Sequence, residues 1–153
     1  MSYSLDTSGF LDAWLRHYPI DVFPSIWNRI DHSIRSGTLF ASEEVLRELE
    51  KKDDGAFGWL KARPHMIIPF DSQIEAEVIR LMNRFPRLVD SKKGRSGGDP
   101  FVIAVAIVGG HSVITGENAT GKLEVPRIPD VCKELGIRCI RMLDFFREQG
   151  WNL

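Results

Sequence analysis

The sequence predicts an α/β fold of three layers, with a short central parallel sheet flanked by helices. Two observations carry that prediction: the strand-like segments are short and apolar, and they alternate with helical patterns, as in a parallel sheet covered on both faces. A third sets its scale. The 153 residues fit one domain, contain no internal repeat, and suffice for a substantial core without staples.

Residues 1–5 form the first expected strand, which ends at Asp6. Thr7 and Ser8 are good helix caps, and Phe10, Leu11, Trp14 and Leu15 follow at helical spacing until His17-Tyr18-Pro19 breaks the pattern. A second helix begins near Pro24 or Ser25, carries Ile26, Trp27, Ile30 and Ile34 on one face, and stops at Gly37. Residues 38–41 are a short strand. Ser42 then caps a helix bearing Val45, Leu46 and Leu49. Residues 57–61 suit one helical turn, and residues 66–69 a short strand or an extended connection.

An amphipathic helix spans about 72–85, with Ile74, Val78, Leu81, Met82 and Phe85 in register. Residues 90–98, rich in Gly and Ser, suit a loop. Asp99 then caps an apolar helix whose Pro100 takes the first position, where a missing N–H costs nothing, and which ends at Gly109-Gly110. A strand at 112–115, a helix at 128–135 closed by Gly136, a strand at 137–140 and a helix at 142–149 complete the chain.

Composition narrows the function. The hydrophobic fraction of 43% and charged fraction of 27% are those of a soluble globular protein. A net charge of −1 gives no bulk attraction to nucleic acid, so any such contact needs a local basic patch. Cys132 and Cys139 form neither a zinc motif nor a redox pair by spacing, and suit buried apolar positions in a reducing compartment. With no basic-then-apolar leader and no apolar run of membrane-spanning length, the expectation is a cytoplasmic protein without membrane association. His17, His32, His65 and His111 are scattered, with no metal-ligand spacing and no nucleophilic partner. Residues 94–98 lack the lysine that closes a phosphate-binding loop.

Four acids remain at the ends or edges of elements: Asp6, Glu48, Asp99 and Glu117. Ligands bind such sheets outside the carboxyl ends of the strands, and Asp6 and Glu117 both reach that rim. Each acid also suits a plainer role: Asp99 a helix cap, Glu48 a solvated helix position, Glu117 a turn. Asp6 suits one least, because an acid directly after an apolar strand is costly unless it is bound or hydrogen-bonded. Gathered carboxylates repel unless a cation neutralises them, which points to a hard oxygen-ligand ion, Mg²⁺ or Mn²⁺. Thr7 and Thr115 have hydroxyls placed to orient those carboxylates, or equally to cap and pack.

The order of these acids resembles the PIN-domain family of metal-dependent ribonucleases, which includes the VapC-type toxins. The resemblance rests on Leu5-Asp6-Thr7-Ser8, Arg47-Glu48-Leu49, Asp99-Pro100-Phe101-Val102-Ile103-Ala104 and Val113-Ile114-Thr115-Gly116-Glu117, and it covers nearly the whole chain. Pro129-Asp130-Val131-Cys132 and Gly150-Trp151 are similar to an uncharacterised PIN subgroup. One departure is Glu117, where the family commonly has Asp.

The resemblance implies a PIN-like fold and an endoribonuclease, the toxin of a type II toxin–antitoxin pair. Asp6 and Asp99 would bind one or two ions directly, Glu48 would bind or orient water, and Glu117 would act through water. It further implies an RNA substrate, a cognate antitoxin and a homodimer. Lys92, Lys93 and Arg95 are the expected RNA-binding cations, and Asp90 opens the same loop. DNA stays open as a substrate, since no residue here recognises a 2′-hydroxyl. The rival expectation is a catalytically silent PIN-like module that binds RNA or a protein.

Overall fold

A computed structural model describes residues 1–52, 55–89 and 99–152. Lys92, Lys93, Arg95 and Asp90 lie outside the described residues.

Five strands form one all-parallel sheet: β1 (Tyr3–Leu5), β2 (Leu39–Ser42), β3 (Ile67–Ile68), β4 (Ser112–Ile114) and β5 (Cys139–Ile140), in the order β3-β2-β1-β4-β5. Ser4 sits opposite Phe40 on one side and Val113 on the other, and Leu5 opposite Ile114. Every residue of β1 and β4 is buried, which explains why their sequences do not alternate. Chain direction across the sheet reverses at β1/β4, so the carboxyl ends of those two strands border the crevice where such folds bind ligands.

The helices are α1 (Thr7–Leu11), α2 (Pro24–Arg35), α3 (Glu43–Glu50), α4 (Ala56–Lys61), α5 (Ser72–Arg84), α6 (Asp99–Gly109), α7 (Ile128–Leu135) and α8 (Met142–Glu148). With right-handed crossovers, the helices after β1 and β2 cover one face and those after β3 and β4 the other. Apolar all round, α6 lies across β1, β2 and β4 and is backed by α5 and α7.

The expected elements form with bounds shifted by one or two residues, as where the first strand begins at Tyr3, and with changes at three further places. Residues 12–17 continue α1 as a π-helical turn (Asp12–His17) that apolar spacing does not distinguish from α-helix. Residues 66–69 resolve into a 3₁₀ turn (Pro64–Met66) followed by the two-residue β3. The final strand shortens to Cys139–Ile140, after Gly136 in a left-handed conformation (φ 70°) closes α7.

The aromatic-rich N-terminal helices form core. Trp27 lies 4.8 Å from Trp14, 5.4 Å from Phe10 and 5.1 Å from Trp59, ring centre to ring centre, while Ile20 and Phe23 stay exposed. The two cysteines, unrelated by motif, meet in space: the thiols of Cys132 and Cys139 share a hydrogen bond between α7 and β5. Among the described residues, no helix is long and apolar enough to cross a membrane.

Candidate active site

Asp6 directly follows β1 and caps α1, so its carboxylate emerges at the switch between β1 and β4. It is almost fully buried, at 3% exposure. Its Oδ2 accepts hydrogen bonds from Thr115 Oγ1 (2.8 Å), just beyond β4, and from Ser8 Oγ. Burial pushes its pKa up, against the pull of these hydroxyls and of the amides of Thr7 and Ser8.

Asp99 opens α6 and is equally buried. Burial, then the charges of Asp6, Glu117 and Glu48, push its pKa to about 9. Its carboxyl hydrogen-bonds Glu117, yet its buried Oδ2 has no hydrogen-bond partner among the described residues. Such an orphaned oxygen costs about 1–3 kcal/mol unless something else meets it.

Glu117 is held from two sides. Its N–H donates to Thr115 Oγ1 (3.1 Å), and its Oε2 accepts from the N–H of Ile128 (3.2 Å), the first residue of α7. Burial and the charge of Asp6 push its pKa up, while that amide and the guanidinium of Arg127 oppose them. Glu48, half-buried on α3, contributes its charge to the same group. All four predicted acids therefore share one electrostatic environment.

Of the two expected orienting hydroxyls, Thr115 contacts Asp6, whereas the Thr7 hydroxyl is buried without a partner among the described residues. Ser8 takes the second place instead, accepting from the Gly116 N–H (3.0 Å) while it donates to Asp6. Asp6 is the N-cap of α1, so Ser8 stands at its second position, from which a hydroxyl reaches back to the cap. Ser8 stood beside Asp6 in the sequence, but only the neighbouring strand selects it over Thr7.

Sequence reasoning also missed the support of the loop bearing Glu117. Asp130 Oδ2 accepts from the amides of Thr120 and Arg127 (both 2.9 Å), and Oδ1 from that of Gly121 (2.8 Å). Although burial opposes it, these amides hold the Asp130 carboxyl below its ordinary range. Arg141 ties the same loop to α8 through Gly116 O and Asn118 Oδ1. The available signal was an acid in the first turn of α7.

Among the described residues, no three His, Cys, Asp or Glu side chains stand ready-made as a metal cage. Asp6 Oδ2 is engaged by hydroxyls, and the Asp99 and Glu117 carboxyls hydrogen-bond each other. Even so, the donor set fits a hard divalent ion. It consists of carboxylates, it is largely buried and mutually repulsive, and it leaves Asp99 Oδ2 without a partner among the described residues.

The sheet order and flanking helices make this a PIN-like fold, with acids at its β1/β4 switch. Over residues 3–153 the chain matches the family described as a domain of unknown function, DUF4411, and it belongs to that family. Among solved structures it is similar to a chain in the crystal structure of VapBC2 from Rickettsia felis bound to a DNA fragment from their promoter. The two share 18% identity and a TM-score of 0.55, with 92% of this chain and 98% of that one covered. No curated protein matches.

Proposed function

We propose that this chain is a Mg²⁺- or Mn²⁺-dependent endoribonuclease, acting in the cytoplasm as the toxin of a type II toxin–antitoxin pair. The observation that carries the reading is the convergence of Asp6, Glu48, Asp99 and Glu117 on one rim, where burial and then mutual repulsion push the pKa values of Asp6, Asp99 and Glu117 up. Asp6 and Asp99 would hold the metal directly, Glu48 would hold it or orient a water, and Glu117 would act through water. When bound, such an ion supplies charge compensation and an activated water for phosphodiester hydrolysis.

The chain's own part is positional. Thr115 and Ser8 fix Asp6, and the Ile128 amide fixes Glu117. The likeness to VapBC2 supports an antitoxin as partner. The resemblance read from the sequence adds an RNA substrate and a homodimer.

A second reading, a catalytically silent module that binds RNA or a protein, is favoured by the absence of a ready-made cage among the described residues. Cleavage of a mixed single-stranded and structured RNA pool in Mg²⁺, Mn²⁺ and EDTA separates the two. The nuclease cuts only with metal and loses cutting in Asp6→Asn and Asp99→Asn. Cutting that survives both changes sinks the site, and no cutting by wild type moves the assignment to the silent module.

A further inference from the structure

Beside the acids lies a cavity of about 370 Å³, within the size range of small-ligand clefts (about 300–1,000 Å³). Thr115 and Gly116 form its border with the acid rim, and Thr115, which hydrogen-bonds Asp6, separates the cavity from that carboxylate. The π-helical turn lines a second side through Asp12 and Ala13, with Tyr18 just beyond it, and α8 contributes Arg147.

Two features show that this wall is built against the rim. The Tyr18 N–H donates to Ala13 O (2.8 Å), the five-residue step of a π-turn, a geometry concentrated at functional sites. Asp12 also packs so close to Gly116 that a Cβ there would meet its carboxylate, so turn and rim are in direct contact.

The lining suits a nucleotide. Arg141, also at the cavity, uses Gly116 O and Asn118 Oδ1 as fixed acceptors, which leaves further N–H groups of its five donors for a phosphate. Arg147 is paired with Asp144 at 3.2 Å but remains 70% exposed, a contact an incoming phosphate can outcompete. Tyr18 is half-buried and braced by Phe146 (5.1 Å) and Phe23 (5.9 Å), a rigid ring on which a base can stack whatever its sequence.

We propose that this cavity holds the nucleotide adjoining the cleaved phosphodiester, with Arg141 and Arg147 on its phosphate and Tyr18 under its base. The assignment rests on the nuclease reading of the acid rim. It selects single-stranded substrate, because a base must leave its helix to reach the ring.

The test uses the full chain and a fluorescein-labelled single-stranded RNA. Arg147→Gln and Tyr18→Leu are compared with wild type and with Arg80→Gln, a cation exposed on α5. The expected result is a KM raised roughly tenfold in both site variants, the usual effect of losing one charged contact or stacking platform, with kcat within about twofold. Arg147→Gln should also flatten the salt dependence, by about one contact's worth.

In a parallel arm, anisotropy of the same RNA is read in an Asp99→Asn background with Mg²⁺, where cutting is blocked. Unchanged KM, affinity and salt slope in both variants overturns the subsite, even if wild type cuts RNA. If wild type does not cut, the nuclease reading fails. The anisotropy arm then decides the subsite alone: affinity lost in both variants keeps it as a binding site, and equal or absent binding removes it.

Discussion

Thr115 Oγ1 donates to Asp6 Oδ2 at 2.8 Å across 109 residues of sequence, joining the ends of β4 and β1. The same hydroxyl accepts the Glu117 N–H at 3.1 Å, so one side chain links two members of the acid group.

Thr115→Val keeps the shape of a buried residue and removes both bonds. We expect a loss of about 1–2 kcal/mol in urea unfolding, from the unpaired acceptor and donor left behind. Divalent affinity should weaken by roughly 10–100-fold, the scale of losing a group that orients a ligand. A metal titration of thermal stability reads both, and an affinity equal to wild type would refute the orienting role.

Divalent ions should stabilise the fold by mass action. At a hundredfold excess over Kd, Mn²⁺ or Mg²⁺ should add about 2.7 kcal/mol to wild type and nothing to Asp6→Asn or Asp99→Asn. Equal shifts in all three proteins would place the ion elsewhere.

Asp99 sets a pH dependence in EDTA. Its folded pKa is about 9 against an ordinary 3.8, so between those values the folded state binds the extra proton. Stability is therefore highest below about pH 3.8 on this term and falls as pH rises through about 9, by at most about 1.4 kcal/mol per pH unit. Asp6 and Glu117, also pushed up, act in the same direction. Asp99→Asn should flatten the curve and raise metal-free stability at pH 8 by roughly 1–3 kcal/mol. Urea unfolding at pH 5, 7 and 8.5 measures this, and a variant less stable than wild type at pH 8 would contradict it.

Gly116→Ala should cost about 1–3 kcal/mol, because its Cβ meets the Asp12 carboxylate and lies 3.2 Å from the Ser8 carbonyl. Adding Asp12→Ala should recover part of that loss and leave the backbone share. Additive losses in the double variant would show that the two residues do not press on each other.

The cysteines should react in order. Cys139 is half-buried and its thiol is pulled below the ordinary range by the hydrogen bond from Cys132, while Cys132 is fully buried and pushed far above it by the same contact and by burial. Iodoacetamide with peptide mass mapping should find Cys139 modified first, and the reverse order would refute the pairing.

Much of this architecture was legible in sequence because its signals are local. An apolar run stopping at Asp6, Pro100 after Asp99 and Gly136 after Leu135 each mark an element's end through the dihedral and hydrogen-bonding limits of a few neighbouring residues. Such limits place acids at element ends but cannot say which ends meet.

The strand order β3-β2-β1-β4-β5 decided that, by setting Thr115 beside Asp6 and making Ser8 rather than Thr7 its second donor. It also brought Cys132 to Cys139 and let Arg141 grip a loop 25 residues away. The π-turn at Asp12–His17 belongs to the same class, since six residues are too few for apolar spacing to distinguish π from α winding. The sequence alone placed the four acids at the ends and edges of their elements. Tertiary structure decided which of them touch, because contacts between distant segments depend on burial and strand register, which no short window of sequence contains.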